Sequence, residues 1–173
     1  MEIPHHMMKI PEWDTDALNR TKVGKYLALK ELTYIRKAFK HSSNIKRILE
    51  VGCGSGKLTV PIYNNGYDIV AMDYAELPLL WLRKKNTNIR IIQGDAQDLP
   101  FLTNSFDCVI SIQIIDYLDS RLKFYAEVNR VLIPGGKFLL HFSNKKSIKG
   151  LLYGLYTKIM RRKIGENCYN RNY

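Results

Sequence analysis

The chain has few cysteines and no pair at C-x-x-C spacing: Cys53, Cys108 and Cys168 lie far apart, which argues against a disulfide scaffold and a cysteine-held zinc. Histidine is scarce too, and His5, His6 and His41 show no ligand spacing, so no metal is expected. No apolar run approaches the ~20 residues a membrane span needs. The first residues also lack the basic and apolar blocks of a secretory signal, so the expectation is a cytoplasmic protein. Repeats and low-complexity runs are absent, and 173 residues suit one domain with a sizeable core. Acidic residues are the scarcer charge, 16 against 27 Lys and Arg. The excess is uneven: residues 20–47 carry nine basic residues and one acid, residues 144–173 carry eight and one, and 48–143 is nearly neutral. Such flanks suit nucleic acid, anionic lipid or an acidic substrate, and equally suit plain solvation.

What the chain does have is glycine where a ligand would need bare backbone. An apolar strand, Ile48-Leu49-Glu50-Val51, runs into Gly52-Cys53-Gly54-Ser55-Gly56 and then a helical pattern. Glycines at these places take positive φ and let a cofactor lie against the main chain, and the first N–H groups of the next helix offer donors. One strand later Asp73 ends the run Asp68-Ile69-Val70-Ala71-Met72, 21 positions after Gly52, where a carboxylate can accept hydrogen bonds from the ribose hydroxyls of an adenosine. The spacing is G-x-G-x-G and not the G-x-G-x-x-G of dinucleotide sites, which disfavours a nicotinamide-dependent dehydrogenase.

Strands are expected at Lys46–Val51, Asp68–Asp73, Ile89–Gln93, Asp107–Ile112 and Lys137–Phe142, with helices at Thr21–Lys40, Lys57–Asn64, Ala75–Lys85 and Arg121–Leu132. Alternation of this kind implies an α/β, Rossmann-like parallel sheet with flanking helices and a ligand at the carboxyl ends of its strands. Val23, Leu27, Leu32, Ile35 and Phe39 form the candidate apolar stripe of the first helix, which is expected to cover the cofactor pocket. Ile133-Pro134-Gly135-Gly136 is expected to stop the last helix before the fifth strand.

Taken in order, LEVGCGSGKLTV, VAMDYA, GDAQDLPFLTNSFDCVISIQIIDYL and EVNRVLIPGGKFLL resemble the class I S-adenosylmethionine-dependent methyltransferases, in the small-molecule branch with the quinone-biosynthesis and type 11 enzymes. The resemblance covers roughly residues 45–142. It implies S-adenosylmethionine as cofactor, held by Glu50, Gly52, Cys53, Gly54, Gly56, Asp73, Tyr74, Asp95, Ala96 and Gln113. Glu50 would organise the glycine turn near the methionine end, Asp95 would accept the adenine amino group and the Ala96 N–H would meet the ring. Asp116 and Tyr117 occupy the stretch beside which sulfonium and acceptor meet, with Asp116 the candidate base. Tyr117 either orients the acceptor or packs as a core aromatic. His141 reads first as a satisfied strand histidine.

The resemblance also implies two further strands after the fifth, for which residues 144–173 offer no candidate; a basic helix around Ile148–Lys163 and a polar tail stand there instead. The expected organisation is an N-terminal helical cap (1–44), a Rossmann-like core (45–143) and a basic C-terminal helix and tail (144–173). The expected function is in-line methyl transfer to a small-molecule acceptor. An RNA methyltransferase and a non-catalytic cofactor-binding or scaffold subunit are the alternatives.

Overall fold

A computed structural model describes residues 22–40, 45–86 and 88–142. The chain divides into a unit Met1–His141 and a second unit Phe142–Tyr173, of which Phe142 alone is among the described residues. The expected C-terminal helix, Cys168, His5, His6, His41 and the question of further strands all lie outside them.

In order, the elements are α1 (Lys22–Lys40), β1 (Arg47–Val51), α2 (Thr59–Asn64), β2 (Asp68–Asp73), α3 (Glu76–Lys85), β3 (Arg90–Gln93), β4 (Phe106–Ile112), a 3₁₀ turn (Ile115–Tyr117), α4 (Arg121–Val131) and β5 (Leu132–His141). The five strands form one parallel sheet in the order β3-β2-β1-β4-β5. The chain therefore builds outward from β1 to one side and resumes at β4 on the other. The crevice between β1 and β4 is the topological switch point, where open α/β sheets take ligands.

Both sheet faces are covered, which is why the strands read as unbroken apolar runs. On one face Leu49, Val51, Val70, Met72 and Val109 pack with Phe124, Val128 and Val131 of α4. On the other, Ile48, Ile69, Cys108 and Ile110 pack with Ile35 and Phe39 of α1 and Ile62 of α2. Fully burying one such side chain stabilises the fold by about 1.5–3 kcal/mol. Phe124, fully buried with its ring 5.9 Å from that of Phe138, is a position where truncation to alanine costs about 3–5 kcal/mol. In the expected apolar stripe of α1, Ile35 and Phe39 are buried in the core and Leu32 packs against it, whereas Leu27 is 43% exposed.

One boundary differs by more than two residues. β5 begins at Leu132, directly after α4, and the Ile133–Gly136 segment is taken up inside it as an irregularity: Phe106 pairs Leu132 and Cys108 pairs Lys137. Gly135 at φ +79° lets the extra residues bulge, and Pro134, with no N–H, suits a place outside the regular ladder.

Candidate functional site

At the carboxyl end of β1 the chain folds back on β2. The N–H groups of Gly52 and Cys53 donate to Met72 O at 2.8 and 3.0 Å, that of Gly54 donates to Asp73 Oδ2 at 2.7 Å, and that of Gly56 donates to Cys53 O at 3.0 Å. Left-handed backbone at Gly52 (φ +79°), Gly54 (+53°) and Gly56 (+82°) makes this course possible.

The three glycines are not equivalent, contrary to the expectation that each lays main chain open to a cofactor. A Cβ on Gly52 would stand 2.1 Å from Cγ2 of Ile114, and one on Gly56 would stand 2.3 Å from Cδ1 of Leu82. Around Gly54 a Cβ would meet nothing within 4 Å. Gly52 and Gly56 are thus closed by packing, the first across the switch-point crevice, while Gly54 leaves backbone bare towards open space. Cys53 points inward, 4% exposed beside Ala71, Leu79 and Leu82, and burial pushes its thiol well above the usual range.

Asp73 holds the turn with both oxygens, since Oδ1 accepts the Ala75 N–H at 2.9 Å and Oδ2 that of Gly54. Burial raises its carboxyl above the ordinary range, and the N–H groups of Ala75, Gly54 and Tyr74 pull it back. Each oxygen has a second lone pair, so the same carboxylate can accept ribose hydroxyls while it keeps the turn. Tyr74 contributes main chain to this corner, its carbonyl accepting Gln93 Nε2 at 3.1 Å.

Glu50 is 3% exposed on β1, and Thr59 at the start of α2 donates to its Oε2 at 2.6 Å. Burial pushes its carboxyl up to about 8; the Thr59 hydroxyl opposes this, the charges of Asp73 and Glu31 add to it and that of Lys57 opposes it. Glu50 is therefore a neutral acid near neutral pH.

The loop after β3 carries Asp95 and Ala96. Asp95 Oδ1 accepts the Gln97 N–H at 2.8 Å, a local turn that fixes its own backbone, and the Gln97 side chain in turn accepts the Ser120 N–H at 2.6 Å. Arg130 on α4 clamps the same loop by donating to Leu99 O at 2.9 Å and Phe101 O at 2.7 Å, while Glu127 accepts the Leu99 N–H at 2.8 Å.

After β4, Gln113 takes φ +64°, uncommon for a residue with a side chain, and its N–H donates to His141 O at 2.7 Å. Asp116 is 45% exposed with Arg121 Nη2 3.6 Å away, and Tyr117 is 59% exposed, so Ile115 and not Tyr117 supplies the core contact of this turn. Sequence reasoning gave no role to Thr59, Lys57 or Glu31. The one available signal was Glu31 standing alone as an acid in a basic helix.

A parallel sheet with bare glycine backbone and a buried acid at its switch point defines a nucleotide-cofactor-binding α/β protein. The sequence matches the family described as methyltransferase domain over residues 49–140, and the chain belongs to it, in the type 11 branch of the class I S-adenosylmethionine-dependent methyltransferases. It is 34% identical to a phthiotriol/phenolphthiotriol dimycocerosates methyltransferase of Mycobacterium leprae, over 75% of this chain and 46% of that protein. It is 33% identical to a demethylmenaquinone methyltransferase of Renibacterium salmoninarum, over 69% of this chain and 50% of that one. Among solved structures it resembles the glycopeptide N-methyltransferase MtfA complexed with S-adenosyl-L-methionine, at 29% identity and TM-score 0.54, over 61% of this chain and 51% of that one. The chain spans about half the length of the curated relatives it matches. Among the described residues no helix is long and apolar enough to cross a membrane, and no cluster of side chains could hold a metal ion.

Proposed function

We propose that the chain holds S-adenosylmethionine at the β1–β4 switch point and passes its methyl group to a small-molecule acceptor of lipid or quinone type. The open space at Gly54, with Asp73 fixed beside it, carries this reading: a Cβ there would meet no protein atom within 4 Å, which leaves main chain accessible to a ligand. The cofactor supplies a methyl carbon activated by a positively charged sulfur. The residues of the chain bind and orient. Gly52, Cys53, Gly54 and Gly56 shape the cradle, with Gly54 the point of contact, and Glu50 braces it from beneath through Thr59. Asp73 takes the ribose hydroxyls beside Tyr74, Asp95 the adenine amino group, and the Ala96 N–H the ring. Gln113 lines the approach after β4, and Asp116 and Tyr117 stand at the exposed rim where an acceptor enters. Alignment of an acceptor in this way can lower a barrier by roughly 7–11 kcal/mol.

The acceptor class is supported by the two relatives, named for phthiotriol/phenolphthiotriol dimycocerosates and for demethylmenaquinone. Incubating the full chain with methyl-tritiated S-adenosylmethionine and demethylmenaquinol should move label into the organic phase. A second reading, methylation of RNA, draws on the exposed basic residues of α1, Lys22, Lys25, Lys30, Arg36, Lys37 and Lys40. Label entering added RNA instead, with RNA affinity that falls steeply as salt rises, would favour it.

A further inference from the structure

Glu31 is the single acid in the basic stretch 20–47, is 9% exposed on α1, and joins two elements far apart in the chain. Its Oε2 stands 2.8 Å from Lys57 Nζ, just past the glycine turn, and its Oε1 stands 3.3 Å from Nδ1 of His141, the last residue of β5. A carboxylate at this distance from Nδ1 favours the imidazole proton on that nitrogen, which would leave the lone pair of the neutral ring on Nε2. The His141 side chain is 48% exposed, so it is not sealed in the core.

His141 also sits where the chemistry is expected. It pairs in register with Ile112 at the carboxyl end of β4, and its carbonyl accepts the Gln113 N–H, so it abuts the stretch that the proposed function assigns to the acceptor. From α1 the charged group facing it is Glu31, neutralised on its far oxygen by Lys57 of the turn. Buried Glu50 of β1, whose ionisation Glu31 disfavours, lies beyond. The strand neighbours Ile112 and Leu140 carry no charge.

We propose that His141 takes the proton from the methyl acceptor, with Glu31 as its positioning residue and Lys57 anchoring Glu31 to the glycine turn. This rests on the methyltransferase reading above. The acceptor's oxygen, nitrogen or carbon nucleophile forms a bond to the methyl carbon, and the electron pair of the S–CH₃ bond stays on sulfur. The acceptor's X–H bond gives its electrons to the nucleophile, and its proton goes to Nε2 of His141 and from there to solvent. His141 replaces Asp116 as the base, because the Asp116 side chain is 45% exposed beside Arg121.

Two readouts test this on the full chain. Imidazole nitrogen NMR of isotope-labelled histidine, with S-adenosylhomocysteine present and the signal assigned by its loss in His141→Gln, should show the proton on Nδ1; Glu31→Leu should abolish that preference. In methyl transfer to demethylmenaquinol, His141→Gln should lower kcat about 100-fold or more and remove the rise of kcat with pH, while S-adenosylhomocysteine affinity stays within about twofold. A proton on Nε2 in the parent, or a His141→Gln kcat within about threefold of the parent, overturns the proposal. A parent that binds no S-adenosylhomocysteine fails the methyltransferase reading instead, and the NMR result still decides the Glu31–His141 pairing.

Discussion

The Gly54 N–H donates to Asp73 Oδ2 at 2.7 Å, so the residue with open space above it is held in place by the acid that ends the neighbouring strand. The same carboxylate accepts the Ala75 N–H, and each oxygen keeps a second lone pair for the ribose hydroxyls of the proposed cofactor.

Asp73→Ala should therefore weaken S-adenosylhomocysteine binding by about 1.5–3 kcal/mol, the range for hydrogen bonds to a charged group. A 2′-deoxyribose analogue should lose its disadvantage in the same variant. Titration of both ligands against parent and variant checks this. Unchanged discrimination between them removes Asp73 as the ribose partner.

The packing around the glycines separates fold from function. Gly52→Ala and Gly56→Ala drive a Cβ into Ile114 and Leu82 at a backbone φ that L residues resist, so both should melt well below the parent, by about 1–3 kcal/mol of overpacking plus backbone strain. Gly54→Ala adds its methyl to open space and should carry the backbone cost alone. Thermal melts of the three variants rank them; Gly54→Ala melting lowest contradicts the packing assignment.

Glu50 gives the fold a pH dependence of known sign. Its folded carboxyl titrates near about 8 and the unfolded one near 4.5, so between these values the folded state binds the extra proton. Stability contributed by this group is then lost as pH rises from about 5 to about 8. Glu50→Gln copies the neutral acid at every pH, and its melting temperature should match the parent near the acid end of that window and exceed it near the alkaline end. Parallel melting curves for the two proteins would show that Glu50 ionises freely.

Arg130 donates to the carbonyls of Leu99 and Phe101 and so holds the loop that carries Asp95 and Ala96. Its side chain is 34% exposed, so screening reduces its worth, and Arg130→Ala should cost roughly 1 kcal/mol of stability. The loss should be clearer in adenosine binding. Equal affinity in parent and variant places the loop outside the cofactor site.

Much of this architecture was legible from residue pattern. β2 falls at Asp68–Asp73 as expected, and β1, β3 and β4 begin within one residue of expectation, because β-branched apolar runs leave a continuous signal, carried in β1, β2 and β4 by residues buried in the core. The start of β5 was hidden, since Pro134 and Gly135 read locally as a breaker and only pairing with β4 turns them into a bulge. The difference between Gly54 and its two neighbours was equally hidden, for it depends on where Ile114 and Leu82 arrive from elsewhere in the chain. The Glu31–His141 contact has no local signature at all; it exists because α1 crosses the sheet and reaches the end of β5.

In the proposed function the backbone at Gly54 receives the cofactor, and calorimetric titration with S-adenosylhomocysteine reads that contact. The parent should bind one equivalent and show no heat with NADH. Gly54→Val should fold, judged by its circular dichroism and cooperative melt, and should not bind, because its β-branched side chain occupies the open space beside Asp73. A folded Gly54→Val that binds S-adenosylhomocysteine as tightly as the parent would place the cofactor away from Gly54.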